Sequence, residues 1–221
     1  MKYKDFYNDD DLLTEVKQEL ANEGLWDDAK SAVSNVKKYA SNVKKSTSNA
    51  VGKAIVDLTA KAYQVINKYS PERLQAWFEK WMESQKREGL SWTKELPDCP
   101  CQLSGKDGNF ENPNPKEFDG PAPIVDPALH PGASYELRSI GTETGQQCCY
   151  DANGKLMTTG DGVGTADKFS PTKNKKGHYV EDVVPFVIAM RLDGGKFGKN
   201  VQRYVSVRPP NVGKGCPTNA S

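Results

Sequence analysis

What this chain lacks narrows its possibilities before any motif is read. No run of about 18 apolar residues occurs, so an ordinary transmembrane helix is not expected. Only two histidines are present, His130 and His178. Gly-x-Ser-x-Gly, His-Glu-x-x-His and phosphate-binding loops are all missing, which removes common signatures of hydrolase, metalloprotease and nucleotide chemistry. An excess of one charge is missing too: the formal net charge is +1 over 221 residues, which argues against a strongly basic nucleic-acid binder. Apolar residues make up 36%, lean for a packed globule, so one modest core with an exposed element is expected. The N-terminus, Met1-Lys-Tyr-Lys-Asp5, lacks the apolar stretch of a secretory signal.

The balanced total charge conceals a split. Residues 1–28 hold nine acids and three lysines, whereas residues 30–68 hold eight lysines against Asp57. Such segments attract each other or oppositely charged partners. Acids ahead of Leu12, Leu13, Val16 and Leu20 predict a helix over about residues 10–22. From Leu25 to Val65, small or apolar residues recur with a period of eleven, at 25, 29, 32, 36, 40, 43, 47, 51, 54, 58, 62 and 65, Thr47 being the polar exception. Eleven residues over three turns is close to a straight helix. Its face of Ala and Val buries little area, so packing against protein is favoured over weak contact with an anionic membrane.

Ser70-Pro71 predicts a helix start, with the serine as cap and the proline in the first turn. Leu74, Trp77, Phe78, Trp81 and Met82 then form the strongest apolar stripe in the chain. It reads as a core or interaction face that packs on the arm, on the cysteine-containing part, or on another copy. Gly89 ends this helix. The resulting division is a helical arm over 1–90 and a small β domain over 91–221.

The second part is irregular and dense in Pro, Gly, Asn and Asp from Gly105 to Pro131. Strands are predicted at 134–140, 146–150, 155–158, 183–192 and 201–207, with 183–192 as the central one. Asp151-Ala-Asn-Gly154 is a hairpin turn signal, because Asn and Gly both tolerate positive φ. The fold class is therefore α+β. Gly160-Asp-Gly-Val-Gly-Thr165 lacks the Lys-Ser/Thr of a phosphate loop and the spaced acids of a calcium loop, and reads as an ordinary glycine loop. His130 lies in a turn where its ring is expected to bond backbone, and His178 has no spaced carboxylate partner.

Five cysteines remain: Cys99, Cys101, Cys148, Cys149 and Cys216. Adjacent residues on a strand point to opposite faces, so Cys148 and Cys149 need different partners. The preferred pairing joins Cys99 and Cys101 to that pair, with Cys216 free or bonded elsewhere. The alternative is zinc held by Cys99, Cys101, one of the pair and His130 or His178, although Cys-x-Cys is tighter than usual zinc spacing. No cofactor or metal is expected.

Cys99-Pro-Cys101, His130-Pro-Gly-Ala, Gly145-Gln-Gln-Cys-Cys-Tyr150, Gly164-Thr, His178 before Asp182-Val-Val-Pro-Phe186, Tyr204 and Arg208-Pro-Pro210 follow one another in an order that resembles the AMOP domain of extracellular adhesion-associated proteins. The resemblance covers about the last 130 residues. It implies a non-catalytic, disulfide-stabilised interaction module on a cell surface, matrix or virion-like assembly. Its partners would be proteins or a homo-oligomer through the N-terminal helices, not nucleic acid. The alternative is a cargo or toxin-like effector of an injection apparatus with the charged arm as its loading or membrane-acting element. An oxidised second half behind a signal-less N-terminus leaves three explanations: a signal already removed, delivery by a dedicated machine or virion, or cysteines kept reduced.

Overall fold

The computed structural model describes residues 62–124, 129–211 and 213–217, together with Gln18. Apart from Gln18, the helix expected at 10–22 falls outside these residues, as does the eleven-residue repeat up to Leu58. Positions 62–66 are helical, and Ala62, Val65 and Ile66 are fully buried.

The first complete element, α1 (Pro71–Glu88), forms as its sequence predicts. Ser70 Oγ accepts from the amide of Arg73 at 3.3 Å, Pro71 occupies the first turn, and Gly89 at φ 72° stops the helix. Leu74, Trp77, Phe78, Trp81 and Met82 are all buried. The stripe is therefore a core face and is not on the surface. It packs on two helices of the cysteine-containing half, α3 (Val184–Leu192) and α4 (Lys199–Val207). Trp81 stacks on Tyr204 with centroids 5.7 Å apart, a geometry that adds about 0.5–1.5 kcal/mol to simple burial.

Both helices correct predicted strands. Residues 183–190 are apolar without a break, so no periodicity distinguishes a strand from a helix buried all round. Val184, Pro185, Val187, Ile188, Ala189 and Met190 are in fact all buried. In α4 the buried residues are Val201, Tyr204 and Val207, a spacing of three that suits a helix. A short turn of helix α2 (Lys175–His178) runs through a π-helical segment, Tyr179–Val183, directly into α3. Pro185 has no N–H to offer the carbonyl one turn back. That carbonyl, Glu181 O, accepts instead from Arg208 Nη2 at 3.1 Å.

The β part comprises a hairpin of β1 (Ser104–Lys106) and β2 (Asn109–Glu111), and a four-stranded antiparallel sheet. The sheet order is β3 (Ala122–Pro123), β4 (Tyr135–Arg138), β5 (Gly145–Tyr150) and β6 (Ala166–Asp167). The turn after β5 forms as expected: Asp151 Oδ1 accepts from Asn153 N and Lys155 N, and Gly154 sits at φ 73°. A second small core of Leu103, Phe118, Leu137, Tyr150 and Leu156 surrounds the cross-links. The molecule is α+β and stapled by disulfides.

The pairing is Cys99–Cys148 and Cys101–Cys216, with Cys149 a buried free thiol. This corrects the expectation that Cys149 is bridged, whereas Cys216 is bonded, one of the two outcomes expected for it. The register explains the outcome. Leu137 lies opposite Cys148, and both face the small β core; Glu136 lies opposite Cys149, and both face the helices. Cys149 therefore points away from the other four sulfurs. Zinc on Cys99 and Cys101 is excluded by the same bonds.

Candidate ligand cavity

Between the sheet and α3 and α4 lies a cavity of about 340 Å³. One wall is apolar, made by Val183, Phe186, Phe197, Val201, Tyr204 and Val205, with Ile124, Leu129 and Val163 across from it. Its floor is polar. Alternation along β4 and β5 brings Glu136, Arg138, Gln147 and Cys149 to one face, β6 adds Asp167, and the helical run adds His178 and Asp182, four residues apart and so on one side of a turn.

These groups form a chain of alternating charge. Gln147 Nε2 donates to Glu136 Oε2 at 2.6 Å, and Arg138 bridges Glu136 Oε2 at 3.2 Å and Asp167 Oδ2 at 3.1 Å. Next comes His178, with Nδ1 at 3.7 Å from Asp167 Oδ2 and 3.4 Å from Asp182 Oδ2. Asp182 Oδ1 accepts from Arg208 Nε at 2.6 Å and from Lys168 N at 2.9 Å, and its Oδ2 accepts from Phe169 N at 3.1 Å. Arg208 is 1% exposed and closes the series. It also donates from Nη1 to Gln85 Oε1 of α1 at 2.8 Å.

Environment separates the carboxyls. Burial pushes Asp167 up to about 6 although His178 and Arg138 oppose it. Burial acts on Asp182 too, but Arg208 and His178 overcome it and hold that group below the usual carboxylate range. Glu136 is likewise held low, burial being outweighed by Arg138, His130 and Gln147. Asp119, just outside, accepts from Arg138 N at 2.6 Å, and burial raises it to about 6.

The His130 ring, expected to bond backbone, also reaches two side chains. Its Nε2 lies 3.2 Å from Gln147 Nε2 and its Nδ1 3.7 Å from Cys149 Sγ. A thiol beside an imidazole has the outline of a nucleophile and base. Burial and the Glu136 charge push the Cys149 thiol well up, however, and the residue has 0% exposure. A reactive cysteine needs a lowered pKa and access, and Cys149 has neither.

The glycine loop at 160–165 lines the cavity, and Gly162 and Gly164 in it serve close packing. A Cβ on Gly162 would lie 2.1 Å from Pro131 O, and one on Gly164 would lie 2.2 Å from Gln147 O. His178 has the carboxylate partners that the sequence reading denied it. The signal was the spacing His178-x-x-x-Asp182, which has meaning only once 175–192 is helical. Among the described residues, Asp167, His178 and Asp182 are a set whose ligand-type atoms all lie within 4.8 Å of one another. No helix among the described residues is long and apolar enough to cross a membrane.

The sequence profile of the AMOP domain matches residues 74–217. The match starts within α1, further upstream than the cysteine-bearing half alone, in keeping with the shared core of α1, α3 and α4. Human Sushi domain-containing protein 2 is 30% identical over 156 residues, which covers 62% of this chain and 17% of that protein. No solved structure matches.

Proposed function

The chain belongs to the AMOP domain family of extracellular, adhesion-associated modules, and we propose that it works as a non-catalytic display module that binds a protein at a cell surface, in a matrix or on a virion-like particle. The observation that carries this reading is the family match over 74–217, a span that contains both cross-links. Two bridges closing separations of 49 and 115 residues fix loops that have little regular structure. A rigid surface loses less entropy on binding than a mobile one. The buried, poorly ionised Cys149 supports a role without chemistry.

The segment before residue 62 is the proposed docking or self-assembling part. Its lysine-rich stretch and eleven-residue repeat suit a protein partner or a second copy, with weak attraction to anionic membranes. The curated relative is far longer than this chain, so the whole of that protein is no guide to the partner here.

The test is binding of the oxidised, fluorescently labelled full chain to panels of cells and matrix proteins. Saturable binding that is lost after opening the Cys101–Cys216 bridge supports the reading. An absence of saturable binding on every panel rejects it. Light scattering after size exclusion checks self-assembly, which is expected to disappear when residues 1–61 are removed.

A further inference from the structure

Three acceptor-type atoms converge on one point of the cavity floor: His178 Nδ1, Asp167 Oδ2 and Asp182 Oδ2. His178 Nδ1 is buried and makes no hydrogen bond. Its separations from the carboxylate oxygens, 3.4 and 3.7 Å, exceed the roughly 2.7–3.2 Å of an N–H···O bond. Metal–ligand bonds of about 2.1 Å at the tetrahedral angle place neighbouring ligand atoms about 3.4 Å apart. The separations of His178 Nδ1 from the two oxygens thus suit an ion beside it better than a direct bond, and all three atoms lie within 4.8 Å of one another. Each carboxylate oxygen also keeps a lone pair for it, because Asp167 Oδ2 accepts one hydrogen bond, from Arg138 Nη1, and Asp182 Oδ2 accepts one, from Phe169 N.

Charge agrees with this. Three carboxylates, Glu136, Asp167 and Asp182, face two guanidiniums, Arg138 and Arg208. We infer that Asp167, His178 and Asp182 bind a first-row divalent cation, zinc foremost, with a remaining coordination position open to the cavity. An imidazole with two carboxylates suits zinc. Calcium, which takes six to eight oxygens, does not fit three ligands of which one is nitrogen. The cavity gives the open position room for a carboxylate or carbonyl from a bound partner, and the apolar wall can hold what carries it. The site is distinct from the cysteine set weighed from sequence, which the disulfides consume.

The experiment is calorimetric titration of the chelator-treated, oxidised full chain with Zn²⁺ at neutral pH, with bound metal counted after gel filtration. One equivalent is expected in the parent chain, and at least tenfold weaker binding in His178→Gln and in Asp167→Asn. Asp107→Asn, on the exposed β1–β2 turn, leaves affinity unchanged. Near-ultraviolet circular dichroism of the tryptophans confirms that each variant is folded, and Ca²⁺ at the same concentrations gives no saturation. The assignment is overturned if the parent chain shows no saturable zinc binding, or if folded His178→Gln and Asp167→Asn bind as tightly as the parent. These readouts do not involve adhesion, so failure here and failure of the display role are separable.

Discussion

Arg208 Nε and Asp182 Oδ1 meet at 2.6 Å with side-chain exposures of 1% and 2%, and this pair ties the end of α4 to the helical run that leads into α3. The guanidinium also binds Gln85 of α1 and Glu181 O, and lies 5.4 Å from the Trp81 ring and 5.6 Å from the Trp92 ring. Removing one member of a buried pair strands the other charge, at about 3–5 kcal/mol. Arg208→Met is expected to lower unfolding free energy by that order. Arg208→Lys is expected to lower it too, because an ammonium cannot reproduce the planar set of donors. Urea denaturation followed by tryptophan fluorescence measures both.

The covalent frame makes its own prediction. Peptide mapping without reductant is expected to recover Cys99 with Cys148 and Cys101 with Cys216. Replacing Cys101 and Cys216 by serine together is expected to remove roughly 2–5 kcal/mol. Cys149 should react with an alkylating reagent only as fast as the protein opens. Labelling at the rate of a free peptide thiol would show that it is not buried.

Asp119 sets a pH dependence. Its folded pKa, about 6, lies above its ordinary value of 3.8, so the folded state favours the protonated form. The stability from this group is fully present below about pH 4 and is lost as pH rises through 6. Asp119→Asn, which keeps an oxygen to accept from Arg138 N, is therefore expected to be more stable than the parent at pH 8. That advantage should vanish at pH 4. Parallel denaturation curves at the two values decide it.

Gly164 tests the reading of the glycine loop. A methyl group there meets Gln147 O at 2.2 Å and Gln147 C at 2.7 Å, both backbone atoms of a central strand that cannot swing aside. Gly164→Ala is expected to destabilise the fold by about 1–3 kcal/mol. Gly160→Ala has nothing within 4 Å but sits at φ 87°, so its effect comes from backbone strain alone. Thermal melts of the two variants separate crowding from strain.

Local chemistry was legible in the sequence and long-range chemistry was not. Ser70-Pro71, the Trp77 and Trp81 stripe, Gly89 and the Asn153-Gly154 turn each act through neighbours within a few residues, and each forms as read. The run at 183–190 carries no periodicity, so the choice between helix and strand depended on tertiary packing that the sequence does not display. With that helix missed, His178 and Asp182 could not be seen as partners. Asp167, Arg138 and Arg208 enter the site from three further elements and had no local signal at all. The disulfide pattern failed in a similar way: alternation correctly separated Cys148 from Cys149, but which sulfur Cys101 reaches depends on where the chain returns at residue 216.

The bridge between Cys101 and Cys216 also determines how the module carries mechanical load. A pull that enters through α1 and leaves beyond residue 216 travels across one sulfur–sulfur bond, and the 115-residue separation that it spans is shunted out of the line of force. The sheet and the cavity lie inside that covalent loop like a pendant beside a taut thread, and the packing of α1 on α3 and α4 couples them to it.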